Sequence, residues 1–87
     1  MKDIVYSDEF FKSWKKLQKK RYDYNKLERV ISILKNGSSL PGKYSDHPLV
    51  GNWKGYRECH IEANWLLVYK VTDTDILLVK TCTHDDL

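Results

Sequence analysis

The sequence predicts an α+β fold: two N-terminal helices packed on one twisted, mainly antiparallel four-stranded sheet, in the order β-α-α-β-β-β. Three observations carry this. Residues 8–35 hold two apolar stripes at helical spacing, interrupted once. Residues 53–83 hold three strand-like runs with short links, which close as an antiparallel meander. A chain of 87 residues is one domain, 1–87, whose core suffices for one sheet and one layer of helices.

The first strand is read at Lys2 to Tyr6. Ser7 is placed to cap a helix starting at Asp8, with Asp8 and Glu9 favourable in its first turn. Phe10, Trp14 and Leu17 form its apolar stripe, and Arg21-Tyr22 makes a tight connection. The second helix runs from about Asp23 to Lys35, with Tyr24, Leu27, Ile31 and Leu34 on one face and Val30 widening it. Asn36-Gly37 stops it, because glycine accepts the left-handed conformation that closes a helix. Ser38 to Asn52 is a loop, marked by Pro41-Gly42, His47-Pro48 and Gly51. Strands follow at Trp53 to Ile61, Trp65 to Thr72 and Ile76 to Thr83, the last two joined by a turn at Asp73-Thr74-Asp75. The helical hairpin must cover one face of the sheet, so polar side chains on the other face would form a site.

Composition narrows the function. Residues 1–40 carry ten Lys/Arg against five Asp/Glu, and residues 41–87 carry five against seven. The basic half points to an anionic partner such as nucleic acid, or else to a solvated lysine face. Lys15, Lys16, Lys19 and Lys20 are its densest part and are the candidates for phosphate contacts. No apolar run reaches the length that spans a bilayer, and the first residues show no apolar signal segment. The expected location is the cytoplasm, with no membrane partner. Cys59 and Cys82 lack metal or redox spacing and read as small buried hydrophobes. Cys59 and His60 are strand neighbours on opposite faces and cannot act as a pair.

The chemistry rests on three histidines, His47 in the loop, His60 on the strand leaving it, and His84 after the last strand. Each alone is more often a solvated or capping residue. Edges and ends of a meander can bring them to one surface, where the reaction they suit is RNA cleavage. That reaction needs a base for the ribose 2′-OH, an acid for the departing 5′-oxygen and cations for the phosphate. Histidine serves both proton roles near neutrality. No local spacing matches a zinc motif, so no metal and no cofactor is expected. Trp14 reads as core. Trp53 and Trp65 start strands beside the histidines, and either could stack on a base, with core packing favoured for at least one. Tyr56 shares the face of His60 by alternation, and Arg57, a further RNA-binding candidate, takes the opposite face unless a bulge intervenes.

The segments SDHPLVGNWKGYRECHIEANWLLVYKV and TCTHDDL resemble the YafQ-type branch of the RelE/ParE superfamily, toxins of bacterial type II toxin–antitoxin systems. The resemblance spans the whole chain in length and element order. It implies a RelE-like fold akin to microbial ribonucleases, and a metal-independent endoribonuclease that enters the ribosomal A site and cuts mRNA there. It implies a cognate antitoxin as partner, with operator DNA reached only through that antitoxin. By position, His47, His60 and His84 match the family's histidines and Trp65 a site tryptophan. The family's acid before that tryptophan is here Asn64, which cannot take a proton as a carboxylate can.

Two alternatives share the fold. One is a ParE-like toxin that binds DNA gyrase and cleaves nothing, for which the histidines would have no use. The other, prompted by Asn64, is a catalytically weakened toxin serving mainly as antitoxin partner and co-repressor.

Overall fold

One serine turns the chain from its first strand into its first helix. In the structure, a computed structural model that describes residues 1–83, β1 covers Asp3–Tyr6 and α1 covers Asp8–Lys19. Between them Ser7 Oγ accepts the Phe10 N–H at 3.0 Å, satisfying a donor that the first helical turn leaves unpaired. The same hydroxyl donates to the Val79 carbonyl at 2.5 Å, so the cap is also a tether to the sheet. His84 lies outside the described residues.

Both helices end the same way. After α1, the Tyr22 N–H bonds the Leu17 carbonyl at 3.1 Å and the Arg21 N–H bonds the Gln18 carbonyl at 2.9 Å, a Schellman closure. Its left-handed residue is Arg21, at φ 63°, where a Cβ makes the conformation costly. α2 covers Tyr24–Lys35, starts on an Asp23 side chain that accepts the Asn25 N–H, and closes through Gly37 at φ 76°. Glycine meets that angle without strain.

The remaining strands are β2 at His47–Pro48, β3 at Arg57–Glu62, β4 at Trp65–Val71 and β5 at Asp75–Thr83. They form one sheet in the order β1-β5-β4-β3-β2, with β1 parallel to β5 and all other pairs antiparallel. Among the described residues the sheet therefore has five strands, not the four expected. The loop read as structureless contributes a short edge strand, paired through His47 with Glu58 and Pro48 with Arg57. The strand expected from Trp53 begins only at Arg57. Gly51 at φ 68°, which opens a 3-10 turn at Gly51–Trp53, and Gly55 at φ 95° beyond it break the extended chain.

The core lies between the helices and one face of the sheet. Phe10, Trp14 and Leu17 of α1 and Leu27, Val30 and Leu34 of α2 pack with Cys59, Leu67, Tyr69, Ile76 and Leu78. A polar chain crosses it. Trp65 Nε1 donates to Thr81 Oγ1 at 2.7 Å, Thr81 Oγ1 donates to the Leu66 carbonyl at 2.8 Å, and the Thr81 N–H donates to Ser13 Oγ at 3.1 Å. β1 pairs β5 only as far as Leu78, and beyond it α1 supplies the bond that a neighbouring strand would make. The opposite face carries the residues that alternate with the core set, and the site is built there.

Candidate active site

Two cross-strand rows define the open face. Lys80, Val68, Glu58 and His47 are successive partners across β5, β4, β3 and β2. Cys82, Leu66 and His60 form the next row. Directly opposed residues in antiparallel strands share a face, so the sheet sets His47 and His60 side by side. Their ring centroids are 6.1 Å apart.

Glu58 lies between the two rings. Its Oε1 is 3.4 Å from His47 Nε2 and 3.8 Å from His60 Nε2. The carboxylate is largely buried, with its side chain 12% exposed, and His47 is the more open imidazole at 45%. His47 Nδ1 sits 2.8 Å from the Ser45 carbonyl, an acceptor only, so Nδ1 carries hydrogen and Nε2 is the atom turned to Glu58. Ser45 reaches that geometry in the left-handed conformation, at φ 48°. Among the described residues, the donor atoms of His47, Glu58 and His60 all lie within 4.8 Å of one another. Two imidazoles and a carboxylate suit a transition metal by donor type. They also suit proton exchange, because each ring faces an acceptor able to share its additional proton.

Aromatic and basic side chains frame these groups. Lys80 Nζ stands 5.4 Å from the Trp53 ring centroid, and Lys70 Nζ stands 5.3 Å from that of Tyr56. Trp53 and Tyr56 meet edge to face at 5.5 Å, and Trp53 is 40% exposed. A shallow groove lined by Lys12, Lys16, Ser13, Lys80 and Thr81 continues from Lys80 to α1. Lys15 and Lys19 on the same helix, and Lys20 at its C-cap, are exposed but do not line that groove.

Several expected site residues lie elsewhere. Trp65 is wholly buried, stacked on Trp14 at 6.1 Å with Tyr22 edge-on at 5.1 Å, so it is placed in the core and not on the open face. Arg57 is turned to the helix side, where Nη2 and Nε donate to the two Asp46 carboxylate oxygens at 3.1 and 3.3 Å. Its charge is answered there, and it is not part of the open face. Asn64 occupies the exposed turn between β3 and β4. A cleft of about 360 Å³ opens beside Arg57, Asp46 and Tyr69, across the sheet from the histidines. Glu58 is the residue that reasoning from sequence missed. Its signal was the Glu-x-His spacing of Glu58 and His60, which on a strand puts both side chains on one face.

A family model, the bacterial toxin of type II toxin–antitoxin systems YafQ, matches residues 2–87. The chain belongs to the YafQ family. The mRNA interferase toxin YafQ of Escherichia coli is 45% identical over 84 residues, covering 95% of this chain and 91% of the relative. The YafQ fold is equally clear in space. The crystal structure of the Escherichia coli DinJ–YafQ toxin–antitoxin complex is similar at TM-score 0.91 and 45% identity, covering 99% of this chain and 96% of that one. The metal-bound toxin from Helicobacter pylori is similar at TM-score 0.92 and 37% identity, covering 100% and 99%. Two helices on one mixed sheet are thus the YafQ architecture, and the α+β expectation holds with one strand added.

Proposed function

We propose that this YafQ-family toxin is an mRNA endoribonuclease that acts in the cytoplasm on message held in the ribosomal A site, and that a cognate antitoxin blocks it. The observation that carries this reading is the gathering of His47, Glu58 and His60 on one open sheet face, flanked by Lys80 and Trp53. The relative named as an mRNA interferase and the antitoxin-bound structure point the same way.

The reaction needs two proton transfers. His60 takes the proton from the ribose 2′-OH, O2′ attacks phosphorus, and the bond from phosphorus to O5′ breaks. His84, which matches a family histidine by position, is taken as the acid that protonates O5′, and the roles of His60 and His84 could be exchanged. The products are a 2′,3′-cyclic phosphate and a free 5′-hydroxyl. Glu58 accepts an N–H from whichever ring holds the additional proton, and so orients both. Lys80 and the α1 lysines hold the phosphates, and Trp53 offers an aromatic face to a base. The donors would also hold a transition metal, which would act by occupying the imidazole lone pairs; the steps above draw on side-chain protons alone.

The test is single-turnover cleavage of mRNA programmed into ribosomes, with each variant checked as folded by circular dichroism. Glu58→Gln and His60→Ala should each slow cutting by about 10²–10⁴-fold. His47→Ala should cost less, since it serves more in placement. Asn64→Asp should raise the rate if a carboxylate in that turn assists the base. Wild-type rates in both Glu58→Gln and His60→Ala would overturn the mechanism.

A further inference from the structure

Asp46 and His47 are neighbours in the chain but serve opposite faces of the sheet. Asp46 accepts three hydrogen bonds on the helix side, two from Arg57 at 3.1 and 3.3 Å and one from the Tyr69 hydroxyl at 2.5 Å. Arg57 belongs to β3 and Tyr69 to β4, and the two are register partners. One carboxylate thus ties the loop to two adjacent strands. Bidentate contact with a guanidinium fixes direction as well as distance. Burial, with Asp46 alongside, holds the Tyr69 phenol above its ordinary range, so it remains a donor.

The strand that carries His47 pairs only briefly, through His47 with Glu58 and Pro48 with Arg57. β2 is two residues long, and one of them is Pro48, which has no N–H to give. On one side of Asp46, Ser45 presents the carbonyl that bonds His47 Nδ1. On the other, His47 turns Nε2 to Glu58. We propose that Asp46, Arg57 and Tyr69 form a clamp that positions His47, setting its ring orientation and tautomer from the far face of the sheet. None of the three touches substrate, so they are positioning residues. The inference builds on the endoribonuclease reading, and it gives Arg57 a part in the reaction other than phosphate binding.

The test uses the full chain with conservative changes, Asp46→Asn and the gentler Tyr69→Phe. Nitrogen-15 spectra of the imidazoles should show His47 as the Nδ1–H form in the wild type. Both variants should give mixed His47 tautomers and an unchanged His60. Single-turnover cleavage by Asp46→Asn should fall by about 10-fold and by no more than His47→Ala does, with ribosome affinity held within roughly twofold. In a His47→Ala background, Asp46→Asn should cause no further loss, because the clamp works only through that ring. An unchanged His47 spectrum in both variants, or equal rate losses in both backgrounds, would overturn the clamp. If Asp46→Asn does not fold, Tyr69→Phe supplies the same three readouts. The spectra need no nuclease activity. A His47 ring that loosens as expected in a chain that cuts no mRNA would support the clamp and count against the endoribonuclease reading.

Discussion

Trp14 on α1 and Trp65 on β4 lie face to face, with ring centroids 6.1 Å apart and planes 6° from parallel. This stack joins the helical layer to the middle of the sheet. It also decides what a change at Trp65 does. Trp65→Ala should cost about 3–5 kcal/mol, the range for emptying a large aromatic site in a core. Urea unfolding measures it. Any loss of cleavage should track the loss of folded protein, and Trp65→Phe should retain most of both. A fully stable Trp65→Phe that cannot cut RNA would return Trp65 to the active site.

The lysines of α1 should not be equivalent. Lys12 and Lys16, one turn apart, line the groove that leads to Lys80, whereas Lys15 and Lys19 stand on the adjoining row of the helix. Replacing Lys16 or Lys80 by Gln should weaken ribosome binding and reduce the salt dependence by about one phosphate contact each. Lys15→Gln and Lys19→Gln should do less. Equal effects at all four would mean a diffuse positive face and no groove.

Metal should inhibit. Zinc bound by His47, Glu58 and His60 would occupy the lone pairs that proton transfer uses. Added zinc should slow cleavage, and EDTA should restore it. EDTA alone should leave untreated protein at its starting rate. Loss of cleavage on chelation, recovered with zinc, would sink the acid–base assignment.

Alkali should weaken the fold through two groups that stay protonated inside it. Burial, helped by Asp46 and Glu58, pushes the Cys59 thiol up from 9.0 to about 12. Burial and the bond to Asp46 raise the Tyr69 phenol in the same direction. The unfolded chain releases these protons first, so their contribution is whole below about pH 9 and is lost as pH climbs toward the folded values. Urea midpoints at pH 8 and pH 10 should show the decline, and Cys59→Ala should flatten it. The Cys59 thiol should also resist Ellman's reagent until the chain unfolds.

The helices were legible because their signals are local. Ser7, Asp23 and Gly37 act within a turn of themselves, and the stripe from Phe10 to Leu17 lies on one face. Alternation likewise put Arg57 and His60 on opposite faces, as found. β2 was not legible, since two residues carry no period, and only their pairing with Arg57 and Glu58 makes them a strand. Trp53 and Trp65 look alike in sequence. What separates them is tertiary, Trp14 and Tyr22 enclosing one and Lys80 standing over the other. The Asp46 clamp joins residues far apart in the chain, and no local pattern announces it.

The parallel pairing of β1 with β5 governs when this chain can become active. The Ser7 tether to Val79 spans 72 positions, and β5 lies between β1 and β4 in the sheet. Contacts of such separation close late, after the chain entropy of the intervening loop has been overcome. On a translating ribosome the helical hairpin can form early. The row that carries Lys80, Glu58 and His47 must wait until β5 has left the exit tunnel. Under the proposed activity, no working cutter exists on a nascent chain until β5 has emerged and paired with β4. Under that proposal, fold topology alone delays self-poisoning.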